Sequence, residues 1–260
     1  MLTEFFDTPA LPIKNLRVKV LQKTVGLPFY IAMEEEDPEV LEIVEQAFSI
    51  IERLTSVKIP RIYVKPYLHE GDWGSVKWYV KNSWDSERNQ VNYVKLWKLF
   101  EKEPWQKQER HYELMILERD LYYPGTNFIF GGTNGKVTNS GKLVSDRYVL
   151  GIVISLFRIR RWYKENYKDV LLAILLHELG HFFGLPPEWS PDYIKRGSPK
   201  MKNELDEGHC DRRDCIMEQV NVHGRPDVLK KSFYVQENNP NFFCRNCLEA
   251  LKANVKRLYA

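Results

Sequence analysis

The sequence predicts an α+β fold, a sheet packed against helices. Three observations predict it. Residues 16–22, Leu-Arg-Val-Lys-Val-Leu-Gln, and 61–68 alternate apolar with polar side chains, the period of a strand. Between them, Asp37-Pro38 opens a segment whose apolar residues recur at helical spacing. Further on, Val170 to Leu176 is apolar on every face, as in a helix sunk in a core, and is too short to cross a membrane.

Each element has a local reason. Asp37 is a capping residue and Pro38 suits the first helical position. Val40, Leu41, Val44, Ala47, Phe48, Ile51 and Leu54 form the buried stripe that follows. Residues 71–110 interleave Trp73, Trp78, Trp84, Trp97 and Trp105 with charge. They read as an inserted hairpin and helix whose tryptophans anchor them to the core; a partner surface or a single-strand nucleic-acid site is the competing reading. Phe128 to Gly132 is expected as the edge strand, residues 133–146 as a turn-rich connection and 147–156 as the adjacent central strand. The basic run Arg158-Ile159-Arg160-Arg161 is expected as a solvated turn. Leu248, Leu251, Val255 and Leu258 place a closing helix at the C-terminus. His69, His111 and His223 stand outside any motif and read as surface or hydrogen-bonded histidines.

Bulk properties agree with a soluble globular chain of 260 residues, 43% hydrophobic and 28% charged. A net charge of +3 points to no polyanion partner, and no segment resembles a signal peptide or a membrane span. The expected location is the cytoplasm. A single domain spanning residues 1–260 is expected, with an N-terminal region over residues 1–184 and a C-terminal region over residues 185–260.

The chemistry is concentrated in His177-Glu178-Leu179-Gly180-His181-Phe182-Phe183-Gly184-Leu185. Histidines four apart lie one turn apart on one helix face, so both can hold a single metal ion. Glu178 can reach a water at that metal, the arrangement of zinc hydrolases. Gly180, inside the helix, costs roughly 1 kcal/mol relative to alanine and is read as close packing against another backbone. Gly184 stops the helix and Pro186-Pro187 block its continuation. A third ligand is then expected from beyond the turn.

The four cysteines are Cys210, Cys215, Cys244 and Cys247. Two close pairs separated by a loop can supply four thiolates to a structural zinc; disulfides and plain buried thiols are the alternatives. His209 directly precedes Cys210, so fixing the cysteine on a metal fixes the histidine's backbone as well. His209 is therefore the expected third ligand of the first metal, ahead of Glu188, Asp192 and His223. Met217, two residues after Cys215, is expected to form an apolar floor beneath the cluster.

The helix motif, then His209-Cys210-Asp211-Arg212-Arg213-Asp214-Cys215-Ile216-Met217, then Cys244-Arg245-Asn246-Cys247, resemble the archaemetzincins in order and kind. Asp120 to Gly131 and Gly151 to Arg158 resemble the same family's strands, so the likeness covers about residues 112–258. The resemblance implies a metzincin-type zinc peptidase: a zincin-like fold with a twisted mixed sheet, a buried active-site helix and a C-terminal subdomain on a four-cysteine zinc. It implies two zinc ions, Glu178 as general base and Met217 as the methionine turn. Two departures stand out. The family's His-x-x-Gly-x-x-His puts its third histidine where this chain has Pro187, so residues 186–208 read as an insertion before His209. The gap from Met217 to Cys244 is also longer.

An edge strand at Phe128, Ile129, Phe130 and Gly131 offers backbone groups to an extended peptide, the expected substrate. Nucleic acid and membrane are not expected partners. The competing function is a non-catalytic, zinc-stabilised interaction module of the same fold.

Overall fold

The computed structural model describes residues 26–64, 75–103, 106, 109–137, 143–144, 149–194, 208–219 and 228–260. The expected strand at 16–22 lies outside them, as do residues 65–68 of the second expected strand, Trp73, Trp105, His69 and His223.

In chain order, β1 (Phe29–Met33) leads into α1 (Pro38–Thr55) and β2 (Arg61–Val64). Helices α2 (Val76–Ser83) and α3 (Tyr93–Phe100) precede β3 (Tyr112–Leu117). Next come β4 (Gly131–Asn134), β5 (Gly151–Ser155), α4 (Leu156–Tyr163) and α5 (Tyr167–Phe182). Helices α6 (Val228–Asn238) and α7 (Arg245–Tyr259) complete the chain. The main sheet has the order β2-β1-β3-β5-β4. Its first four strands are parallel, and β4 runs antiparallel to β5 at one edge.

Because alternate side chains leave a strand on opposite faces, the sheet divides two apolar compartments. Phe29, Ile31, Tyr112, Leu114, Ile116, Ile152 and Ile154 pack with α1, α5 and α7. Met115, Leu117 and Val153 face the other way, toward α2 and α3. Trp97 is fully buried there, and Trp78 and Trp84 pack against the same cluster, so these tryptophans anchor their segment to the sheet. Strand β1 is absent from the sequence reading because Phe-Tyr-Ile-Ala-Met is apolar on both faces, which hides the period of two. Helix α1 starts where expected: the Asp37 carboxylate accepts from the amides of Glu39 and Val40 at 2.9 and 3.2 Å.

Two expectations are corrected. The basic run is a helix, α4, because Leu156, Ile159 and Tyr163 are buried on one side of it. Its arginines meet acids from elsewhere: Arg158 donates to Asp120 at 2.7 and 2.6 Å, and Arg160 pairs with Glu118 and Asp37. The edge strand is Gly131–Asn134, not 128–132. Phe128 and Phe130 pack edge-on against Trp162, and Ile129 bridges to Leu121, which leaves only Gly131 of the four expected residues on the edge.

His111 is buried in the second compartment. Its Nδ1 lies 2.7 Å from the Glu109 carbonyl and its Nε2 2.8 Å from Glu113. Gln106 donates to the same Glu113 oxygen at 3.0 Å. Burial, reinforced by the neighbouring Glu113 charge, pushes the Glu103 carboxyl up to about 10. Burial alone would lower His111, yet the adjacent Glu113 carboxylate outweighs it and the net shift is upward. Both raised groups bind their proton more tightly in the folded chain. Their stabilisation is complete below the unfolded values, 4.5 and 6.5, and is lost as pH rises, for Glu103 up to about 10. Glu103→Gln removes one of these titrations. Denaturation midpoints measured from pH 5 to 9 are expected to fall less steeply for the variant; an identical slope contradicts a raised Glu103 carboxyl in the folded chain.

Candidate metal centres

Helix α5 is apolar on all sides from Val170 to Leu176 and carries His177, Glu178 and His181 in its last turns. His177 and His181 are one turn apart, and their Nε2 atoms face each other at 3.0 Å. The Nδ1 atoms face backbone carbonyls: His177 meets Ile216 O at 2.8 Å and His181 meets Leu185 O at 3.0 Å. An Nδ1–H given to a carbonyl leaves each Nε2 as a lone pair pointing inward, the tautomer a metal ligand needs. Burial lowers the pKa of His177, which also favours the neutral ring.

His209 completes the set. Its ring centroid lies 5.4 Å from that of His177 and 5.0 Å from that of His181. One nitrogen from each of the three rings falls within 4.8 Å of the others. Nitrogens around a tetrahedral zinc sit about 3.3 Å apart, given Zn–N bonds of about 2.0 Å. The donor set fits a cation of that kind. Neither Glu188 nor Asp192 belongs to this cluster among the described residues; Asp192 instead accepts from Asn246 at 3.1 Å.

His209 is held at the site because its strand pairs back onto residues 193–194. Tyr193–Ile194 and His209–Cys210 form a two-stranded ribbon, with Ile194 opposite His209. The Asp211 amide donates to Asp192 O at 2.8 Å, and Cys210 N to Met217 O at 2.9 Å. A loop whose ends are joined by such a ribbon can vary in length at little entropic cost.

Cys210, Cys215, Cys244 and Cys247 are free, buried thiols whose sulfurs all lie within 4.8 Å of one another. Cys210 Sγ and Cys244 Sγ are 3.7 Å apart, far beyond a disulfide bond and close to the roughly 3.8 Å between thiolates on one tetrahedral zinc. Mutual thiol hydrogen bonds pull Cys210 and Cys244 below the ordinary thiol value and push Cys215 and Cys247 above it. Asn246, between the last two cysteines, also donates to Ser190 Oγ at 3.2 Å, so this cluster holds the 190–194 segment on which the His209 strand rests.

Met217 is fully buried directly beneath α5. A β-carbon on Gly180 would lie 2.3 Å from its sulfur. The glycine therefore admits a methionine side chain, not the neighbouring backbone that the sequence suggested. Glu178, next to His177 in the chain, is buried. Burial pushes its carboxyl up to about 7, against the pull of the Thr133 hydroxyl. Thr133 on β4 donates toward Glu178 Oε2 at 2.8 Å and lies 3.0 Å from its carbonyl. The sequence reading placed Thr133 in a turn-rich connection, and nothing in its local pattern marks it. The carbonyls of Ile216 and Leu185 are backbone atoms and leave no trace in residue types.

No family model matches the chain. Over 144 residues it is 29% identical to the archaemetzincin of Methanopyrus kandleri, covering 55% of this chain and 57% of that protein. Over 153 residues it is 29% identical to the archaemetzincin of Pyrococcus horikoshii, covering 55% and 56%. The chain is similar to the archaemetzincins. It matches a little over half the length of each of these curated archaemetzincins. The crystal structure of the Methanopyrus kandleri archaemetzincin superposes with a TM-score of 0.51 at 21% identity, over 88% of this chain and 96% of that one. That likeness shows a shared fold of mixed sheet and helices. No helix among the described residues is long and apolar enough to cross a membrane.

Proposed function

We propose that the chain is a zinc-dependent peptidase of metzincin type, its whole length forming one catalytic unit. The convergence of three imidazole nitrogens beside the buried Glu178 carries this reading. His177, His181 and His209 would hold the catalytic zinc, and the four cysteines a structural one. A bound zinc supplies Lewis acidity toward the scissile carbonyl and lowers the pKa of water at the site.

The remaining steps belong to this chain's own residues. Glu178 takes the proton of the attacking water and returns it to the leaving amine. Its Oε1 has no protein partner among the described residues, while Oε2 is engaged by Thr133, so one oxygen is left for the water. A carboxyl near neutrality can make both transfers at physiological pH. Strand β4 is the terminal strand of the sheet, and among the described residues nothing pairs with its outer edge. An extended peptide adds to it through main-chain hydrogen bonds, which makes polypeptide the substrate class and side-chain preference weak. Gly131–Asn134, the observed edge strand, would be this surface. Four buried free thiols suit a reducing compartment, which favours the cytoplasm.

The test is cleavage of a random peptide library by the zinc-loaded protein and by Glu178→Gln. Cleavage by the first alone supports the reading. A library left intact by the zinc-loaded protein overturns it, and the fold would then serve as a zinc-stabilised interaction module.

A further inference from the structure

The Thr133 hydroxyl sits where the edge strand meets the helix that carries Glu178. It projects from β4 on the α5 side, as does Gly131, where a β-carbon would come within 3.4 Å of Glu178 Cγ. The strand and the helix are therefore in close contact at the base itself. A hydroxyl carries one proton, so Thr133 donates to one acceptor at a time. Two are in reach, both on Glu178: the carboxylate Oε2 at 2.8 Å and the main-chain oxygen at 3.0 Å. Both arrangements keep the threonine on Glu178, and the first fixes the carboxylate's rotation. A hydrogen bond to a charged group is worth roughly twice one between neutral groups, and more where water is excluded.

We infer that Thr133 is a positioning residue for Glu178: its hydroxyl holds Oε2, turns Oε1 toward the three histidines, and ties the orientation of the base to the edge strand on which a peptide docks. The inference rests on the peptidase reading for its consequence in turnover. A peptide that pairs with Gly131–Asn134 steadies Thr133, and Thr133 steadies the base. Productive alignment is then linked to occupancy of the edge.

Thr133→Val keeps the branched shape and the strand preference and removes only the donor. Thr133→Ser keeps the donor and loses a methyl group. With the zinc-loaded enzymes, Thr133→Val is expected to lower kcat roughly 10- to 100-fold, the range for losing a hydrogen bond to a charged group, with KM within about twofold. Thr133→Ser is expected to recover kcat to within about threefold of the parent. A merely structural role for Thr133 would alter melting temperature or zinc content and leave no such split. Crystal structures of the variants supply a readout besides turnover. Glu178 should occupy one orientation in the parent and in Thr133→Ser, and more than one in Thr133→Val. A Thr133→Val enzyme with parental kcat, or with Glu178 unmoved, overturns the inference. If the parent cleaves no peptide the peptidase reading falls, and the orientation of Glu178 in the two variants still decides whether Thr133 sets it.

Discussion

A Glu178→Gln protein is expected to keep its zinc, its fold and its affinity for peptide while losing hydrolysis by roughly 10²- to 10⁴-fold, the usual worth of a positioned general base. The substitution is nearly isosteric. The amide oxygen can still accept from Thr133 Oγ1, which now lies 2.8 Å from the carboxylate. The cation would lose nothing, because the three imidazoles are its proposed ligands. What disappears is the capacity to accept a proton. Zinc content by elemental analysis, peptide affinity and single-turnover cleavage separate these effects. Full activity in the variant removes Glu178 from the mechanism.

A Cys247→Ser protein is expected to fail in two places at once. Cys247 is fully buried, so the change puts a weak ligand into a sealed cluster. Structural zinc contributes its binding energy to folding, and a loss of about 5 kcal/mol would consume much of a domain's usual margin. The expected fall in melting temperature is on the order of 10–20 °C for a chain of this size. The second failure is the histidine site. His209 adjoins Cys210, and Asn246 in the Cys-x-x-Cys holds Ser190 and Asp192 beside the ribbon that carries His209. Zinc stoichiometry should therefore drop at both centres, by more than the one ion the cysteines would hold. Unchanged melting and unchanged metal content would show that the thiols are structural without a metal.

The features of this site legible in the sequence were those set by short-range spacing. Histidines four apart on one helix, cysteines in close pairs and the stripe of α7 follow from local geometry, and the structure brings those residues together. What escaped depends on distant partners. Gly-Gly-Thr-Asn has little intrinsic strand preference; it is β4 because β5 pairs with it and because Gly131 leaves room for Ile154 and the Val153 carbonyl of β5. The arginines of α4 look like a solvated turn until Asp120, Glu118 and Asp37, remote in sequence, arrive beside them. The close neighbour of Gly180 is a methionine side chain from 37 positions downstream. His209 could be named from its place next to Cys210, but the ribbon with Tyr193–Ile194 that brings it across a long insertion has no sequence signal.

The central claim is that His177, His181 and His209 share one cation whose third ligand is set by the neighbouring cysteine cluster. Anomalous diffraction at the zinc edge, on crystals of the zinc-loaded protein, tests it most directly. Two peaks are expected: one about 2.0–2.1 Å from a nitrogen of each histidine, the other about 2.3 Å from all four sulfurs. A peak at the cysteines with none among the histidines, or one held by His177 and His181 with His209 turned away, would contradict it.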